Sequence, residues 1–116
     1  MTAINVTDIK NIISDINIVE NLLEAYKFTA RKYVEEDGSI TLGLNEIDLA
    51  ENGKDEEEAV KLMAEAILEY SEDYYNDFDF WAKGWRKAHI PYVLKALILN
   101  DTEKIGGLIV CHLGEI

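Results

Sequence analysis

The chain has 116 residues, 48% of them apolar, with 23 acidic against 11 basic side chains and a formal net charge of −12. That length suits one domain with a buried core. The charge opposes binding to DNA phosphates or an anionic membrane except through a locally basic patch, and a single cysteine, Cys111, excludes an internal disulfide framework and a multi-cysteine metal site. The opening MTAINVTDIK has neither a basic n-region nor an apolar h-region, and no apolar run approaches the ~18 residues of a membrane span. The expectation is a single cytoplasmic domain over residues 1–116, with no membrane contact and no cofactor.

Ala3–Val6 is a short β-prone run, and Thr7 offers an N-cap hydroxyl to a segment with Ile9, Ile12, Ile13 and Ile16 on one helical face. Its β-branched and asparagine content makes it a poor helix by propensity, so packing must hold it. The spacing allows it to end near Asn17 and resume over Val19–Glu24. Residues 1–24 thus form a strand-helix start. From Tyr26 the period changes to two, with Tyr26 and Phe28 before Glu36-Asp37-Gly38-Ser39 and Ile40, Leu42 and Leu44 after it. This predicts an antiparallel hairpin over about 26–49, closed at Asp37-Gly38 by a type I′ turn. Ile47-Asp48-Leu49 continues the second strand or adds a short third, and Glu51-Asn52-Gly53 reads as a turn.

The next element is the most strongly specified. Asp55 caps a helix and Glu58 completes a D-x-x-E capping box, with Glu56 and Glu57 favourable at the positive helix end. Ala59, Leu62, Met63, Ala66, Ile67, Tyr70 and Tyr74 then follow an i, i+3, i+4 spacing, predicting an amphipathic helix over about 55–75. Between Glu46 and Asp79 thirteen acidic side chains face only Lys54 and Lys61, so most of the net charge sits here. An aromatic cluster follows (Tyr74, Tyr75, Phe78, Phe80, Trp81, Trp85), and the charge then reverses at Lys83, Arg86, Lys87 and His89. Pro91 suits the first turn of a helix over about 90–99, with Ile90, Val93, Leu94, Leu97 and Ile98 as its apolar face. Asp101 can cap a short helix to Ile105, Gly106-Gly107 breaks it, and Leu108–Cys111 is a strand or an ordered tail. The fold class expected is α+β: a small antiparallel sheet covered by the two amphipathic helices.

No residue set spells out a reaction. Cys111 and His112 are adjacent and would face opposite sides of a strand, leaving His89 as the remaining histidine, so no metal site is expected. Cys111 reads as a small apolar residue in the tail rather than a nucleophile. Carboxylates are too plentiful for any pair to signal acid-base chemistry, and Gly106-Gly107 lacks the context of a phosphate loop. No catalytic residues are expected and the chain is not read as an enzyme. What the pattern supports is protein binding. Asp55–Glu58 is explained locally, by capping and the helix dipole. Glu65, Glu69, Glu72, Asp73, Asp77 and Asp79 instead lead into Phe80, Trp81 and Trp85, where aromatic anchors beside charge resemble an interface to a basic partner. The alternative is that Phe78, Phe80 and Trp85 are core, packing the helix pair together, with single-strand nucleic-acid binding a lesser option that the preceding acids oppose.

Two stretches resemble bacterial type II antitoxins. Ile4-Asn5-Val6-Thr7-Asp8-Ile9-Lys10-Asn11-Ile12-Ile13-Ser14 looks like the strand-then-helix start of the YefM and prevent-host-death antitoxins, with Lys10 as the helix's base where that family shows arginine. The resemblance implies a dimerisation or operator-DNA element there, with Thr7, Lys10 and Asn11 as its DNA contacts. Gly53-Lys54-Asp55-Glu56-Glu57-Glu58-Ala59 is similar to the HicB-type G-x-T-x-E-E-A pattern, Asp55 replacing the usual threonine as cap. The order of elements also looks like a RelB-like group of small antitoxins. That implies neutralisation of a small basic ribonuclease toxin, with autoregulation of the operon and a homodimer as further expectations. The alternative left open by the residues is a structural or homo-oligomerising acidic protein without a toxin partner.

Overall fold

The computed structural model describes Asn21 and residues 24–114. The expected strand-helix start, including Thr7, Lys10 and Asn11, lies outside the described residues. The elements run β1 (Phe28–Val34), β2 (Ile40–Leu44), β3 (Leu49–Gly53), α1 (Glu56–Asn76), α2 (Phe78–Trp81), a 3-10 helix (Gly84–His89), α3 (Ile90–Leu99), α4 (Thr102–Leu108) and β4 (Ile109–Leu113). The strands form one sheet in the order β3-β2-β1-β4. β1 pairs antiparallel with β2, and β2 with β3, whereas β4 runs parallel to β1 with Ala30 opposite Cys111. The architecture is the expected α+β layer, but its sheet is mixed. Parallel pairing needs a long crossover, and here everything from β2 to α4 supplies it.

The hairpin turn departs from type I′. Gly38 alone has positive φ (87°). Its N–H donates to the Glu35 carbonyl, and the Glu35 N–H donates to Ser39, so the loop is a turn followed by a glycine bulge rather than two left-handed residues. Asp37 is then free to accept from the Ser39 N–H and hydroxyl at 2.9 and 2.6 Å. These bonds hold its carboxyl below the ordinary pKa. Glu51-Asn52-Gly53 is likewise strand, not turn. A Cβ on Gly53 would lie 2.8 Å from the Ala59 Cα, so this glycine lets the sheet end approach the helix start.

The start of α1 follows its sequence signals. Asp55 accepts from the Glu58 N–H at 2.8 Å. The Glu58 carboxylate reaches back to the Lys54 N–H, one residue before the cap. Ala59, Met63, Ala64, Ile67, Ser71 and Tyr74 form its buried face. The expected Leu62, Ala66 and Tyr70 sit at the edges of that face, partly buried. Ser71 is tolerated inside because its hydroxyl donates to the Ile67 carbonyl at 2.7 Å, which leaves no buried donor unsatisfied.

One core joins Phe28, Ala30, Leu42, Leu44 and Ile47 of the sheet side to Ala59, Met63 and Ile67 of α1, Ala96 of α3 and Ile105 of α4. Burying each large aliphatic or aromatic side chain of this set contributes about 1.5–3 kcal/mol. Lys95 is buried in the same region. Its ammonium donates to the Tyr26 carbonyl at 2.7 Å and lies 5.2 Å from the Phe28 ring centre, and burial lowers its pKa. Pro91 occupies the first turn of α3, and left-handed Asn100 (φ 45°) ends it. Asp101 then caps α4 through the N–H groups of Glu103 and Lys104.

Candidate functional site

The C-terminal half of α1, α2 and the 3-10 helix bring the acidic and aromatic residues together. On α1, Glu65, Glu69, Glu72 and Asp73 are exposed, offset from the buried Met63, Ile67 and Tyr74 row and so turned from the sheet. Asp77 and Asp79 continue the exposed acidic surface through the α1–α2 junction. Asp77 closes α1, its N–H donating to the Asp73 carbonyl. Acids at the opposite end, Glu56–Glu58, are favoured by the helix dipole; Glu72 and Asp73 sit in or beside the negative last turn, where each like charge costs about 0.3–1 kcal/mol. Stability therefore accounts for the first group and not for the second.

The aromatic segment divides by depth. Tyr74 is fully buried and packs with Val93 and Leu97. Trp81, half-buried, stacks on Tyr74 with ring centres 6.5 Å apart and meets Tyr70 edge-on at 5.7 Å. Phe80 is 52% exposed and Trp85 68% exposed. The reading of Phe78, Phe80 and Trp85 as core is therefore corrected: all three are exposed, and the ring that enters the core is Tyr74.

Arg86 organises the exposed rings. Its guanidinium carbon lies 5.2, 5.0 and 5.9 Å from the ring centres of Phe80, Trp81 and Trp85, within cation–π range. Its carbonyl accepts from the Tyr74 hydroxyl at 2.7 Å, which ties the 3-10 helix to the core helix. Gly84, with φ 57°, permits the sharp entry into that 3-10 helix. On the other side, Trp85 meets the His89 ring edge-on at 5.3 Å, and His89 Nδ1 shares a 2.6 Å hydrogen bond with the Tyr70 hydroxyl. Burial holds His89 below its ordinary pKa, Asp48 opposing and Arg86 adding to the effect. Burial, with Tyr74 beside it, pushes Tyr70 up to about 12. Both groups are consequently neutral near pH 7 and serve as a rigid hydrogen-bonded base for Trp85.

The residues read from the sequence as partner-binding thus fall on α1, α2 and the 3-10 helix, apart from Asp77 at the α1–α2 junction, with Trp81 more buried than Phe80 and Trp85. The positioning roles of Arg86, Tyr70 and His89 were not anticipated. The sign reversal after Trp81 was the available signal, but cation–π packing depends on distances that spacing does not provide.

Elsewhere the chemistry is sparse. Burial and the nearby Glu56 raise the Cys111 thiol pKa, disfavouring a nucleophilic thiolate. Among the described residues no three His, Cys, Asp or Glu side chains converge as metal ligands would. No described helix is long and apolar enough to cross a membrane.

Among curated proteins none matches this chain. Among solved structures, a crystal structure of an antitoxin part of a proposed toxin/antitoxin system from Syntrophomonas wolfei subsp. wolfei is similar, with 34% identity and a TM-score of 0.75 over 84% of this chain and 71% of that one. Residues 2–111 match the PHD-like family model, described as antitoxin of toxin-antitoxin, RelE / RelB, TA system. With nearly the whole chain covered, the protein belongs to this family of toxin-antitoxin antitoxins.

Proposed function

We propose that this antitoxin acts as a single-domain cytoplasmic protein that neutralises a small basic ribonuclease toxin through the surface running from Glu65 to Trp85. The observation that carries the reading is the junction at Asp73–Trp85. There, acids that weaken their own helix adjoin two large apolar side chains held exposed by Arg86 and His89. Glu65, Glu69, Glu72, Asp73, Asp77 and Asp79 oppose the toxin's basic surface and set the rate and orientation of encounter. Phe80 and Trp85 enter apolar pockets and set affinity, because rigid aromatic side chains lose little entropy on binding. Trp81 supports them from below. Autoregulation of the operon through Thr7, Lys10 and Asn11 is a second role implied by the family resemblance, and operator DNA its partner.

The test is co-expression of the chain with the small basic protein encoded beside it, followed by titration of the purified pair. Phe80→Ala with Trp85→Ala should weaken the complex at least about a hundredfold, mainly through faster dissociation. Asp73→Asn, Asp77→Asn and Asp79→Asn together should slow association and flatten its salt dependence. A complex indifferent to both sets would place the toxin on another surface.

A further inference from the structure

We propose that Arg86 is the receptor for one acidic side chain of the bound toxin, taken beside the exposed rings of Phe80 and Trp85. The inference rests on the toxin surface proposed above and gives that surface a polarity.

The charge of the surface changes sign along its length. From Glu65 to Asp79 every charged residue is acidic, whereas Lys83, Arg86 and Lys87 follow directly, with Lys83 and Lys87 exposed. A toxin face basic from end to end would be attracted by α1 and repelled at the 3-10 helix. A face that carries an acid opposite the 3-10 helix is attracted at both ends, and in one orientation.

Arg86 is the cation built into this end. Its guanidinium carbon lies within 5.9 Å of the Phe80, Trp81 and Trp85 ring centres. Among the described residues the ion pair is Lys32 with Glu56, and no carboxylate pairs with Arg86. Its Nε is buried and meets no acceptor among them. Rings balance the positive charge but offer no oxygen to the five N–H donors of a guanidinium that stays protonated. A buried donor left in that state is a cost that a ligand's acceptor removes.

The receptor is also held in place before the partner arrives. The Arg86 carbonyl accepts from the Tyr74 hydroxyl at 2.7 Å, and Trp85 rests on His89. Groups ordered in advance lose little entropy on binding.

Charge selects a protein carboxylate over nucleic acid. Asp79 adjoins Phe80 in the chain and Asp77 precedes it closely, so a line of phosphates passing Arg86 would be repelled within the roughly 8 Å screening length. A single carboxylate set in a basic surface brings its negative charge to Arg86 and cations to the acids. A guanidinium can hold it through two parallel N–H···O bonds.

The test uses the complex with the small basic protein encoded beside this chain. Each Asp and Glu of that toxin is changed to its amide and titrated against the wild type, Arg86→Gln and Arg86→Lys. Loss of one toxin carboxylate should weaken the wild-type complex at least about tenfold, mainly through faster dissociation, and should weaken the Arg86→Gln complex no further. Arg86→Lys keeps the charge without the two-pronged donor and should recover only part of the affinity. Arg86→Glu should bind the toxin with lysine at the coupled position at least about tenfold more tightly than it binds the unchanged toxin. If Arg86 only packs the rings, its variants weaken binding to every toxin variant equally and no carboxylate couples to it; that result, or a scan in which no toxin acid matters, would overturn the inference. Should Arg86→Gln lose its fold, Arg86→Lys carries the same cycle. Phe80→Ala with Trp85→Ala keeps the two readings apart. A complex weakened by losing the rings but indifferent to Arg86→Gln removes the carboxylate receptor and leaves the toxin surface standing. Indifference to the rings and to the α1 acids alike removes the surface itself.

Discussion

The two ends of α1 solve opposite problems with one continuous helix. Its first half is small and apolar on the inside, capped by Asp55, and pressed on Gly53 so closely that the sheet end tolerates no Cβ. Its second half carries Tyr70 and Tyr74 inside, unfavourable acids outside, and beyond them aromatic side chains that burial does not consume. The first end is optimised for a stable core; the second gives up stability to keep a charged and apolar surface accessible. Sites of binding are where such local costs are expected.

That contrast can be broken or sharpened by substitution. Met63→Ala, within the first half, should cost about 3 kcal/mol in denaturant unfolding, because the site is closed on all sides and cannot collapse onto the gap. Trp81→Ala should cost about 2 kcal/mol, since the ring is half-buried on Tyr74 and Tyr70. A larger loss of toxin affinity than of stability there would move Trp81 from support to direct contact. Trp85→Ala should change stability by less than about 0.5 kcal/mol, as suits an exposed ring. A large loss of stability would make the second end core after all.

The smallest effect expected is on pH dependence. Burial depresses the His89 pKa in the folded chain below its ordinary 6.5, so the unfolded chain takes up the proton first as pH falls. His89 therefore costs no stability above about pH 6.5, and stability declines as pH drops below it towards the depressed folded value. Denaturant midpoints above and below that pH should diverge more in the wild type than in His89→Gln. Equal slopes would show that burial does not hold the imidazole neutral.

Much of this was readable from residue order. The cap at Asp55, the start of α3 at Pro91, the cap at Asp101 and the alternation through Leu42 and Leu44 are local signals, each arising from groups within four residues of one another. The expected core face of α1 included Leu62 but not Ala64 or Ser71, because which edge of a helix is covered depends on where the neighbouring helices lie. Here α3 and α4 both pack against α1. The burial of Lys95 was equally unforeseen, since its acceptor, the Tyr26 carbonyl, is 69 residues away.

Taken alone, the sequence determined a capped acidic helix, a hairpin and an aromatic junction after Tyr74. Tertiary structure decided that the tail returns as a parallel strand on β1, that Tyr74 is core while Trp85 is surface, and that Arg86 joins three rings. Helix caps and side-chain periodicity are written in short-range steric and hydrogen-bonding preferences. Strand partners, depth of burial and ring contacts depend instead on which distant segments meet, and that is settled when the whole core closes.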